Sequence, residues 1–227
     1  MDIVIEHTSK PLILCWPYLL GGNKPCLKVN TFCYRVKKVA KLIAATPPGQ
    51  PNVYFWPPPS GKWRNEDLAN TFIGDAFEIL GEALIRFCPD MLGIYDYHPT
   101  PPNEPGVDGS GISAEGKPVT VQFKFRAWDR VLTKDKEHLD NFGCVSWYKY
   151  KVREPGNMVL VTTGRETFWK NLDQSFLSSV RCLGRNSSYG FVKGMAKKTI
   201  HKYLSLRTLL DNKNVFWDAI RRGVGLP

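Results

Sequence analysis

The sequence predicts an α/β domain, on three observations. One long segment repeats its apolar residues at helical spacing, a later one alternates with a period of two, and further on a continuous apolar run has the length of a buried strand. The helix comes first. Within residues 65–87, Leu68, Phe72, Ala76, Leu80, Ala83, Leu84 and Phe87 recur at three and four and form one apolar stripe, which Phe77 widens. Pro89 ends it. A Pro-rich loop is expected over residues 98–106. Residues 107–126 then read as a hairpin: Asp108-Gly109-Ser110-Gly111 close its first strand, and Glu115-Gly116-Lys117-Pro118 make the turn. In the second strand Val119, Val121, Phe123 and Phe125 face one side. Thr120, Gln122, Lys124 and Arg126 face the other, so one face builds core and the opposite face is wholly polar. A polar helix is expected over 134–142. MVLVTTG, residues 158–164, supplies the buried strand.

This core, placed at residues 65–180, is framed by additions at both ends. Residues 1–64 form an N-terminal extension. It holds a helix over about 32–45 that carries Arg35, Lys37, Lys38 and Lys41, followed by the Pro-rich loop PPGQPNVYFWPPPSG. Residues 181–227 form a basic, helical C-terminal part packed on the core. Helices are expected over 166–180 and 192–206, with a turn at Asp211-Asn212 and a last short helix after it. A chain of 227 residues is long enough for one sizeable core.

The formal charge of +10 favours polyanionic partners. Residues 181–227 carry ten Lys/Arg against Asp211 and Asp218, so most of the excess lies there. Six cysteines at 15, 26, 33, 88, 144 and 182 form no CxxC pair and no zinc-finger spacing with histidine. They read as single thiols in a reducing compartment. The longest apolar stretch, residues 11–20, is about half of the ~20 residues a spanning helix needs, and Pro17 interrupts it. Asp2 and Glu6 stand where a signal peptide would be basic. The expectation is an intracellular protein, in cytoplasm or nucleus, with no membrane partner. The four histidines are isolated, and neither GxGxxG nor a P-loop is present.

The residues that point to chemistry are Asp108, Gln122 and Lys124. If the hairpin closes, their side chains converge. A carboxylate and an amide oxygen are hard ligands suited to Mg²⁺ or Mn²⁺. A metal-bound water is a nucleophile at neutral pH, and a lysine can hold that water or stabilise charge on a phosphate. Asp-Gly alone is a turn signal and Q-x-K alone is a solvated face. The two in this order, with Q-x-K inside a hydrophobic strand and after an amphipathic helix carrying Glu78 and Glu82, are more specific.

The segments GDAFEILGEAL (74–84), VDGSG (107–111), VTVQFKF (119–125) and VLVTTG (159–164) resemble the PD-(D/E)xK nuclease superfamily, and within it the Mrr-like restriction endonuclease group. The resemblance covers about residues 66–180. It implies a restriction-endonuclease-like αβββαβ core with a mixed central sheet flanked by helices. It implies that Asp108, Gln122 and Lys124 are catalytic, with Glu78 as the auxiliary metal-site carboxylate and Glu82 as its alternative. It also implies an Mg²⁺- or Mn²⁺-dependent cut in DNA that leaves a 5′-phosphate. Gln122 departs from the commoner Asp or Glu, a departure the Mrr-like group shares. Phosphate contacts are expected from Arg126, Arg130, Lys134, Lys136, Lys197, Lys198, Arg221 and Arg222. Double-strand cutting needs two sites, which suggests a homodimer. Two rivals remain: a nucleic-acid-binding module that no longer cuts, and a structure-selective enzyme of the Holliday-junction resolvase kind.

Overall fold

The computed structural model describes residues 17–21, 25–47, 64–101, 106–127, 139–154, 156–163, 202–205, 209–211 and 213–223. The chain divides into two units, Met1–Phe87 with Leu210–Pro227, and Cys88–Leu209.

The first unit is helical. A π-helical turn, Pro17–Gly21, precedes helix α1, Val29–Ala44, and helix α2, Asn65–Phe87. Helix α2 has the bounds its periodicity predicts. Its burial is wider than one stripe, because every residue from 79 to 85 is buried, Glu82 among them. Arg86 neutralises that carboxylate: its Nε lies 2.7 Å from Glu82 Oε1, one helical turn away. On α1, Val29, Phe32, Cys33, Val36, Val39, Ala40 and Ile43 are buried and pack against α2. Each large side chain so buried is worth about 1.5–3 kcal/mol. The last helix of the chain is called α5 here, Asn214–Gly223, and it also packs against α2. It follows Asp211, which lies in a turn as expected, and buries Phe216, Trp217 and Ile220. The Trp217 indole N–H donates to the Leu210 carbonyl at 2.9 Å. No side chain at Lys28 caps α1. Instead Asp211 Oδ1 accepts the Val29 N–H at 2.9 Å, which satisfies one of the helix's orphan donors and sets a negative charge at its positive end.

The second unit is a mixed sheet with helices. A short helix α3, Pro89–Leu92, ends at Gly93, whose left-handed backbone (φ 68°) turns the chain into strand β1, Tyr95–Pro99. Sequence periodicity assigned the end of this strand to the Pro-rich loop. Pro99 is tolerated because it is the strand's last residue, on the outer strand of the described sheet. Strands β2, Gly109–Ile112, and β3, Pro118–Lys124, form the expected antiparallel hairpin, with Gly109 opposite Val121 and Ile112 opposite Pro118. Helix α4, Leu139–Tyr148, runs further than the 134–142 expected, whose residues 134–138 lie outside the described residues. It leads to β4, Met158–Thr162, which pairs in parallel with β3 and is buried throughout. A parallel neighbour needs such a crossover, and α4 lies within it. Strand β5, Lys202–Ser205, pairs in parallel with β4 and completes the order β1-β2-β3-β4-β5.

Several expectations are corrected. Residues 202–205 belong to a strand where a basic helix over 192–206 was expected. The polar face of β3 is not solvated: Val119 to Phe123 are all buried, because β3 lies inside the sheet and both of its faces are covered. The Thr120 hydroxyl therefore needs an internal partner and donates to Ser146 Oγ of α4 at 2.7 Å. Cys144 is disulfide-bonded, where single thiols were expected. Cys26, Cys33 and Cys88 are in no disulfide. The expected helix over 166–180 also lies outside the described residues. Among those described, no helix is long and apolar enough to cross a membrane.

Candidate active site

The candidate site forms where β2 begins and β3 ends. Asp108 lies just before β2, not at the end of its strand, because the chain runs from Gly106 through Val107 into the strand at Gly109. The register that pairs Gly109 with Val121 would continue to Asp108 opposite Gln122. The backbone departs from that continuation: the Asp108 N–H donates to the Val121 carbonyl at 2.9 Å, and its own carbonyl accepts the Thr100 N–H at 3.1 Å. The carboxylate then takes the place a carbonyl would fill, with Oδ2 accepting the Phe123 N–H at 2.6 Å. This charge-assisted bond holds the Asp108 side chain against the strand that carries Gln122 and Lys124.

Two neighbours enforce this arrangement. The Thr100 hydroxyl donates to the Val107 carbonyl at 2.6 Å. The Tyr97 ring, buried on β1, packs over Gly109 so closely that any Cβ there would collide with it. The Asp-Gly pair thus has a reason beyond turn formation, since the second residue must lack a side chain for the ring to fit.

Gln122 lies on the same face of β3 as Thr120, by strand alternation, and that face is covered at Thr120 by α4. Only 1% of Gln122 is exposed, and its Oε1 has no hydrogen-bond partner among the described residues. A buried amide oxygen left unmet costs about 1–3 kcal/mol, which makes this position informative. Two residues on, Lys124 is half-buried, and its ammonium has no hydrogen bond or ion pair among the described residues.

The end of β3 is fixed from the neighbouring strand. Thr162, opposite Lys124, donates its hydroxyl to the Lys124 carbonyl at 2.8 Å. The Thr163 hydroxyl donates to the Arg126 carbonyl at 2.6 Å and accepts the Arg126 N–H at 2.8 Å. The sequence shows Thr162 and Thr163 only as the end of an apolar strand. Their hydroxyls, like those of Thr100 and Ser146, are positioning groups that sequence reasoning missed. A hydroxyl at the end of an otherwise apolar strand was the available signal.

Glu78 is half-buried on α2 of the first unit, whereas Asp108, Gln122 and Lys124 belong to the second. Glu82, its alternative, is fully buried and paired with Arg86, which gives it a structural role. Of the expected phosphate contacts, Arg126 is half-buried, and its guanidinium donates to the Phe125 carbonyl at 2.6 Å. Arg221 lies 3.6 Å from Asp218, and Arg222 is exposed on the same helix. Arg130, Lys134, Lys136, Lys197 and Lys198 lie outside the described residues. Among those described, no group of three His, Cys, Asp or Glu side chains is placed to hold a metal ion. The candidate set is of a different kind, one carboxylate and one amide oxygen. Magnesium suits such a set, since it is commonly held by one or two protein oxygens and keeps several waters.

No family model matches the chain, and neither a curated protein nor a solved structure matches it.

Proposed function

We propose that the chain is a metal-dependent DNA endonuclease of the PD-(D/E)xK superfamily, most like its Mrr-like group, with Asp108, Gln122 and Lys124 as its site. The observation that carries this reading is the buried Oε1 of Gln122, which has no hydrogen-bond partner among the described residues, on the strand whose backbone the Asp108 carboxylate grips. A lone pair kept in the interior without a donor fits a cation ligand better than a packing group. The order helix, three strands, helix, strand in a mixed sheet supports the restriction-endonuclease-like assignment.

The Asp108 carboxylate and the Gln122 amide oxygen would hold Mg²⁺ or Mn²⁺. When bound, that ion neutralises charge on the phosphate and lowers the pKa of its water. The bond from Phe123 N–H fixes the Asp108 carboxylate and still leaves lone pairs for a ligand. The Lys124 ammonium stands ready to hold an attacking water or to stabilise negative charge on the scissile phosphate. The excess of basic residues suits a polyanionic substrate. A homodimer would supply the two sites that a double-strand cut needs.

A second reading has one observation in its favour: Gln122 stands where a carboxylate is commoner, which lowers the charge available to hold a metal. On that reading the chain binds nucleic acid without cutting it. Supercoiled plasmid incubated with the protein and Mg²⁺, Mn²⁺ or EDTA separates the two. Nicked or linear product that needs the metal supports the nuclease. DNA binding that is equal in EDTA and yields no product, on linear and on branched DNA alike, supports the binding module.

A further inference from the structure

Helix α1 carries a basic face that has no role in the site described above. Its sixteen residues, Val29–Ala44, include Arg35, Lys37, Lys38 and Lys41 and no Asp or Glu. Arg35 is used internally, donating to the Leu19 carbonyl at 3.2 Å. Lys37, Lys38 and Lys41 are all exposed. With Tyr34 they fall at i, i+3, i+4 and i+7, a single stripe on the side away from the buried residues. Tyr34 is 68% exposed, and Leu42 beside the stripe is also exposed.

A solvated helix face ordinarily mixes the two signs, because acid–base pairs at i,i+4 stabilise it and like charges at that spacing destabilise it. Among the helix's own residues this face is cationic only. Among the described residues, Lys38 and Lys41 have neither an ion-pair nor a hydrogen-bond partner. The helix dipole favours Lys41 near the C-terminal end and does nothing for lysines in the middle. The like-charge cost is relieved when a polyanion lies along the face. At 1.5 Å per residue, Lys38 and Lys41 lie about 4.5 Å apart along the axis, close enough for one phosphodiester strand to meet both. An exposed tyrosine in the same row offers a flat apolar contact for sugar or base.

We infer that the exposed Tyr34–Lys37–Lys38–Lys41 face of α1 is a binding surface for the phosphate backbone of duplex DNA. This rests on the proposed DNA substrate but not on the cutting chemistry. The face acts by counterion release and carries no sequence preference of its own.

The test measures affinity for a linear duplex against salt concentration in EDTA, for the parent and for Lys38→Ala/Lys41→Ala. Alanine at exposed helix positions preserves the helix, which circular dichroism checks. Removing two phosphate contacts should weaken binding and reduce the slope of log K against log salt by about 1.8. Tyr34→Ala should weaken binding and leave the slope unchanged. A parent that binds with a slope the double variant does not alter overturns the inference. So does a parent that binds no duplex at all. So does a double variant that keeps its DNA binding and loses binding to phosphatidylserine-containing vesicles, which would make the face a membrane contact. A parent that binds as expected but never cuts overturns only the nuclease.

Discussion

The Asp108 carboxylate accepts a backbone N–H, so substitutions there act on the fold as well as on any chemistry. Asp108→Ala leaves the Phe123 N–H without its acceptor and should cost about 1.5–3 kcal/mol, the worth of a hydrogen bond to a charged group. Asp108→Asn keeps an oxygen in reach and should cost less, so thermal denaturation of the pair separates the hydrogen bond from the charge. If Asp108→Ala melts like the parent, the bond at 2.6 Å contributes nothing. Gln122 predicts the opposite sign. Gln122→Leu removes the unmet oxygen and should raise stability by about 1–3 kcal/mol in EDTA. On the proposed ligand set, Mn²⁺ should raise the melting temperature of the parent and not that of Gln122→Leu. A Gln122→Leu protein that still gained stability from Mn²⁺ would remove Gln122 from the ligand set.

At the scale of elements, the Asp211 carboxylate adds a polar link between α1 and the segment before α5 within the first unit. Asp211→Ala should cost about 1 kcal/mol, the worth of a helix N-cap, and Asp211→Asn should cost less because asparagine also caps. Denaturant midpoints test this. Equal midpoints for Asp211→Ala and the parent would show that α1 is not capped from this residue. The sequence could not reveal this bond, since nothing local to Lys28 or Val29 points to position 211. Regular elements with strong periods were legible: the bounds of α2, the β2–β3 hairpin and the buried run of β4. Strand β1 was hidden by Pro99 and the prolines after it, and β5 by lysines that gave 192–206 a helical look. The order of the motifs pointed to Asp108, Gln122 and Lys124 as a candidate set. That Gln122 is buried was not legible, because alternation separates the faces of a strand without telling how many of them are covered.

At the scale of the molecule, the Cys26 thiol contributes to the pH dependence of stability. Burial pushes the Cys26 thiol up to about 11 from an ordinary value near 9. The folded chain therefore holds this proton more tightly than the unfolded one, and its contribution is fully present below about pH 9. As pH rises from about 9 to about 11 that contribution is lost, so the parent should lose more stability over this window than Cys26→Ala does. Parallel pH–stability curves for the two would contradict this. For the proposed nuclease site, the decisive comparison is plasmid cleavage in Mg²⁺ or Mn²⁺ by the parent and by Lys124→Ala, with DNA binding and circular dichroism followed in the same samples. Because the Lys124 ammonium has no partner among the described residues, its removal should leave fold and binding in place and slow cutting by about 100-fold or more. A Lys124→Ala protein that cuts at the parent's rate would show that Asp108, Gln122 and Lys124 are not the active site.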